Sequence, residues 1–231
     1  MTNLWIYAYG LLTVVVFVIS LKISQKLKST ILNPFIIGLT FLVLILLGAK
    51  IPYQAYYEGN ALLNNLLGVA VVALALPFYE QFAQIRRQWK HLALIMGFAT
   101  LLSMISGGLL ALLFGANEEI IASILPKSVT APIAIAIAGE IGGQGAIAVV
   151  GVMVAGITGS AFGIALLKIF KVKHPQAIGL SMGVASHALG VARTMEIDRQ
   201  TGSYASIALV LCGVLSSLVA PFVFKAVLLL Q

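Results

Sequence analysis

Lys127 stands in the string Leu125-Pro126-Lys127-Ser128-Val129-Thr130-Ala131-Pro132, inside an otherwise apolar stretch over residues 120–143. An ammonium group costs free energy in apolar surroundings and marks a functional position by default. There it would hold the charge of an anionic substrate; its bland alternative is a stem that snorkels to an interface. Ser128 and Thr130 add hydroxyls that bind a carboxylate or a hydroxy acid, or that cap a following helix. A second polar cluster, Ser186-His187, interrupts residues 178–200. Its imidazole can relay a proton or donate to an anion, or it can simply satisfy a carbonyl freed by a broken helix. Arg193 reads as an i,i+3 partner of Glu196, or as an anion contact from the cytoplasmic side. Glu140, before Gly142-Gly143, is a proton-coupling candidate if buried and a turn cap otherwise. Asn33, before Pro34, would line the same cavity where a kink opens the helix.

No constellation for catalysis accompanies these residues. HExxH and P-loop patterns are missing from the sequence. His91, His174, His187 and the single Cys212 are too dispersed for a zinc set. Ser186 and His187, as neighbours on a helix, point about 100° apart and make a poor nucleophile–base pair. The expectation is therefore a protein that is not an enzyme and uses neither metal nor cofactor.

The elements that must position these residues follow from composition. Of 231 residues 61% are hydrophobic and 9% charged, against about 25% charged in a soluble domain; mean hydropathy is +1.07. A chain of this size cannot bury that much apolar surface in water, so its solvent is lipid. The net charge of +7 sits in loops, as orientation signals do, and gives no nucleic-acid footprint. Apolar runs cover residues 4–21, 31–48, 61–79, 92–114, 145–167 and 204–229. The expected fold is all-α: one polytopic membrane domain over 1–231, with about six full spans and two broken segments, 120–143 and 178–200. Residues 1–118 would be scaffold and oligomerisation spans, with 119–231 as the transport-like core.

Charge then orders the faces. Lys22–Lys28 and Arg86–Lys90 lie two spans apart and belong inside; Glu118-Glu119 belongs outside. Pro126 and Pro132, six apart, exclude one straight helix between them. If 120–143 enters and leaves on the outside, Lys168, Lys171 and Lys173 also fall inside, so the rule favours a re-entrant hairpin over a crossing. Both termini are then outside. A shift of 57 residues pairs Gly156 with Gly213, Ser160 with Ser217, Lys168 with Lys225 and Thr130 with His187. The identity is weak, yet the two units have opposite topology, the inverted-repeat plan of secondary transporters.

The strings Leu125–Ala134 and Ala185-Ser186-His187-Ala188-Leu189-Gly190-Val191-Ala192-Arg193 resemble the LrgB/CidB family of bacterial membrane proteins, and the likeness extends over nearly the whole chain. The resemblance implies a bacterial inner-membrane protein named for modulating murein hydrolase activity and autolysis. It implies a small separate LrgA/CidA-like partner, and kinship with plastid glycolate/glycerate exchangers and with pairs linked to pyruvate uptake. The expected function is transport of small monocarboxylates or hydroxy acids by alternating access, with Lys127, Ser128, Thr130, Ser186, His187 and Arg193 binding substrate. A holin-like regulator of autolysis is the alternative. A homodimer is the expected assembly.

Overall fold

The computed structural model describes residues 5–27, 32, 34–73 and 75–230. Eleven α-helices and no strand occur among them. They fall into two compact units, within Met1–Ala70 and Val71–Gln231.

The first unit holds α1 (Trp5–Leu27), α2 (Pro34–Gly48), α3 (Tyr53–Gly59) and most of α4 (Ala61–Ala73). The tyrosine-rich stretch between the apolar runs at 31–48 and 61–79 forms the short helix α3. Its Tyr56 hydroxyl lies 2.8 Å from Thr13 Oγ1, and Thr13 Oγ1 lies 2.8 Å from Asn60 Oδ1. Tyr53 and Tyr57 stay exposed. Asn33 lies outside the described residues.

The second unit contains α5 (Ala75–Arg87), α6 (Trp89–Leu113), α7 (Glu118–Ile124), α8 (Ala131–Glu140), α9 (Gly145–Ile169), α10 (Pro175–Met195) and α11 (Arg199–Leu228). Among the described residues four helices are long and apolar enough to cross a membrane: Ala8–Leu27, Trp89–Leu113, Gly145–Ile169 and Arg199–Leu228. That is fewer than the six expected. The run at 31–48 forms only the 15-residue α2, about 22 Å long at 1.5 Å per residue. The run at 61–79 falls within α4 and α5, each of 13 residues, with residue 74 outside the described residues.

The long helices carry large apolar side chains outward, among them Leu94, Phe98, Val150, Phe162 and Phe222. Their inner faces meet in a core of Leu92, Met96, Met104, Ile121, Leu125, Val152, Ile207 and Cys212. Lipid as solvent explains both faces.

Both broken segments reverse. α7 starts at Asn117, whose side chain accepts from Ile120 N at 3.0 Å, with Glu118 and Glu119 favourably placed in its first turn. After the turn at 125–130, α8 runs back and ends in a Schellman motif. Gly142 takes φ +87° and Gly143 N donates to Ala138 O at 2.7 Å. The chain then returns alongside α7: Gln144 N donates to Ser123 Oγ in its last turn at 2.7 Å, and Gln144 Nε2 to Glu119 Oε1 in its first turn at 2.8 Å. α10 breaks at His187 (φ 41°, ψ −130°). Past the break, a Cβ on Gly190 would lie 2.2 Å from Met182 O, so the second half folds onto the first. At the end of this hairpin Asp198 caps α11 through Thr201. A Cβ on Gly179, near the start of α10, would meet Thr201 O at 2.4 Å. The two ends of each hairpin therefore lie together.

Candidate functional site

The first tip centres on Lys127. Its stem crosses Gly107 of α6, where a Cβ would come within 3.0 Å of Lys127 Cε, and it also faces Gly151 of α9. Glycine at 107 leaves room for the ammonium to reach α6. There Lys127 Nζ donates to the Ser103 carbonyl at 2.9 Å and to Ser103 Oγ at 3.0 Å. Ser103 Oγ is also 2.6 Å from Ser128 Oγ. The ammonium thus rests on neutral oxygens of one residue. Among the described residues no carboxylate pairs with it; the one ion pair found is Arg193–Glu196. Ser128, buried, further accepts at its carbonyl from Cys212 Sγ of α11 at 3.7 Å. Thr130 is the N-cap residue of α8, but its side chain makes no cap bond. Its buried Oγ1 has no hydrogen-bond partner among the described residues.

The second tip seats on α9. His187, 3% exposed, places Nε2 2.7 Å from the Val152 carbonyl. A carbonyl only accepts, so Nε2 carries the proton. Gly156 lies against the imidazole ring and Gly159 against Ser186. Ser186 Oγ is fully buried and also without a partner among the described residues. The two tips therefore gather Lys127, Ser128, Thr130, Ser186 and His187 around α6, α9 and α11.

The other sequence candidates lie apart. Arg193 pairs with Glu196 near the end of α10, and both side chains are exposed. Glu140, at the last turn of α8, is exposed.

A cavity of about 960 Å³ opens between α6 and α10. Arg87, Gln88, His91, His174 and Gln176 line one part of it, and Ser103, Ser106 and Ser181 another. Ser103 belongs both to this wall and to the Lys127 network. None of the lining residues is Asp or Glu. Gln176 Nε2 donates to Gln88 Oε1 at 3.0 Å, tying the start of α10 to the α5–α6 junction.

Sequence reasoning missed Ser103, Ser106 and Ser181, and passed over His91 and His174 once zinc was excluded. The available signal was the pair of serines three apart in an apolar run, which share a helix face.

Comparison with known proteins gives a consistent result. A family model described as LrgB-like matches residues 13–226. An uncharacterized protein of Haemophilus influenzae is 52% identical over 222 residues, 96% of each chain. The Bacillus subtilis protein YxaC is 37% identical, covering 92% of this chain and 93% of its own. A holin-like protein CidB of Staphylococcus epidermidis is 34% identical, covering 91% and 92%. No solved structure matches the chain.

Proposed function

The chain belongs to the LrgB-like family, and from that footing we propose that it is a transporter of small monocarboxylates or hydroxy acids in the bacterial cytoplasmic membrane. The observation that carries this reading is the Lys127 ammonium, brought by a broken segment to Ser103 and given no carboxylate partner among the described residues. A cation held inside an apolar body needs an anion to offset its desolvation. A substrate carboxylate supplies one.

The hairpins support a re-entrant arrangement, with 120–143 entering from outside and 178–200 from the cytoplasm, and both termini outside. Their packing also supports an inverted repeat. The first tip rests on α11 through Ser128 and Cys212, and the second on α9 through His187 and Val152. α9 and α11 are the spans that the 57-residue shift pairs. Alternating access would move the tips against α6, α9 and α11. Thr130 and Ser186 would offer their unpartnered hydroxyls, and His187 would couple protons. The arrangement gives Arg193 and Glu140 no place at this site.

A second reading has its own motive in the name of the staphylococcal relative, holin-like protein CidB: a membrane regulator of murein hydrolase activity, paired with a small LrgA/CidA-like protein. One experiment separates the two. Purified chain in liposomes, alone and with such a partner, is tested for saturable uptake of labelled pyruvate, lactate, glycolate and glycerate. Uptake lost in Lys127→Ala supports transport. Absence of uptake together with release of a trapped dye supports the holin-like reading. Mass measurement in lipid discs tests the dimer.

A further inference from the structure

We propose that Ser103 is the exchange point at which an incoming carboxylate takes over the Lys127 ammonium, and that the 960 Å³ cavity is the path by which it arrives from the end carrying Arg87, His91 and His174. The inference rests on the transport reading and adds to it a side of access, a route and a binding residue on α6.

Ser103 is a wall residue of the cavity, whereas Lys127 and Ser128 are not. A solute in the cavity therefore meets Ser103 before it meets the charge behind it. Ser103 holds that charge with its carbonyl and its hydroxyl. Ser106, one turn along and also in the wall, donates its hydroxyl to the same Ser103 carbonyl at 3.1 Å. An ammonium has three hydrogens to give, and here two bonds go to neutral oxygens of one residue. A carboxylate offers two charged oxygens, and charge-assisted bonds are roughly twice as strong as neutral ones. Exchange at Ser103 is thus favourable for an anion and gives nothing to a neutral solute. Once Nζ leaves it, the Ser103 hydroxyl can donate to the same carboxylate, and the Ser106 hydroxyl can turn from the Ser103 carbonyl to do so.

The route suits an anion. The wall presents a guanidinium, two imidazoles and two side-chain amides at one part, hydroxyls at the other, and no carboxylate. Such a lining concentrates anions by its potential. The Gln176–Gln88 bond sits in the same wall.

The chain has one cysteine, Cys212, and it is buried, so an introduced thiol can be read without background. Ser103→Cys in oriented proteoliposomes is treated with a membrane-impermeant cationic thiosulfonate from either side, with and without saturating pyruvate. The expected result is modification from the side of the Arg86–Lys90 loop, slowed at least tenfold by pyruvate, with protection lost when Lys127→Gln is added. Modification only from the other side, or an unprotected thiol in a chain that still transports pyruvate, overturns the proposal. Loss of the transport reading shows separately, as absence of flux in the unmodified chain. If Ser103→Cys folds poorly, Ser106→Cys in the same wall reads the same path by the same outcomes.

Discussion

His187 and Val152 join the second broken segment to the middle of α9: the imidazole Nε2 donates to the Val152 carbonyl at 2.7 Å. The preceding residue, Gly151, faces the Lys127 stem. About two turns of α9, from Gly151 to Gly159, thus receive both tips, and glycines make the seat. A Cβ at Gly156 would stand 2.5 Å from the His187 ring, and one at Gly159 would stand 1.8 Å from Ser186 Oγ. Gly156→Ala and Gly159→Ala should each destabilise by about 1–3 kcal/mol through overpacking. Gly97→Ala and Gly139→Ala, with nothing within 4 Å, should be neutral or stabilise by up to about 1 kcal/mol, the helical advantage of alanine. Thermal unfolding in one detergent ranks the four; equal losses at all positions would remove the special status of the α9 seat.

The same bond allows two roles of His187 to be told apart. His187→Ala deletes the donor and leaves a hole, with an expected loss of about 1–3 kcal/mol. His187→Gln keeps an N–H that can reach Val152, and should recover most of that stability. Glutamine does not titrate, so a proton-coupled carrier bearing it should fold yet lose the response of pyruvate flux to an imposed pH gradient. Full response in His187→Gln would leave His187 as a purely structural donor.

The fold class and the first tip were legible because they rest on local contrasts. A charge and two prolines in an apolar stretch cannot hide, and the resulting break falls between α7 and α8, inside 120–143. The break at 178–200 was legible in place, through Ser186-His187, although composition alone says little about its sharp φ at His187. The span count was less legible: the apolar run at 31–48 looks like a full span, yet α2 covers 15 residues of it. The role of Ser103 was only faintly legible, through its spacing from Ser106, since a serine in a membrane helix ordinarily bonds its own preceding turn. Its importance comes from Lys127, 24 residues away in sequence. The cavity wall is likewise tertiary: Arg87 and His174 belong to separate connections that only packing brings together.

Asp198 provides a pH-dependent test of the second hairpin's exit. Its carboxylate accepts from Thr201 Oγ1 at 2.6 Å and from Thr201 N at 2.8 Å. Those bonds, the side-chain one foremost, hold its pKa below the usual carboxylate value. A depressed folded pKa gives stability that is present above the unfolded pKa and is lost as pH falls through the folded one. Asp198→Ala should therefore melt below the parent chain at neutral pH, with the gap closing as pH is taken below the ordinary aspartate range, about 3.9. A gap that persists undiminished at acid pH would mean that the cap acts without its charge.

The sidedness of the hairpins can be read from their ends. The bonds from Gln144 to Ser123 and Glu119 hold the two ends of the first segment together, and Gly179 against Thr201 does the same for the second. If each segment re-enters, Asn117→Cys and Gln144→Cys react with an impermeant thiol reagent from one face. Lys171→Cys and Arg199→Cys then react from the opposite face, because only α9, about 38 Å long at 1.5 Å per residue, separates the two pairs. Crossing segments would instead put Asn117→Cys and Gln144→Cys on different faces, and likewise Lys171→Cys and Arg199→Cys. The distinction matters for mechanism. Re-entrant tips approach α9 from opposite sides of the membrane, so that opening one tip need not open the other, which is the condition alternating access requires. Crossing segments would instead move Lys127 and His187 together with spans that traverse the bilayer, the other broken-helix plan of secondary transporters.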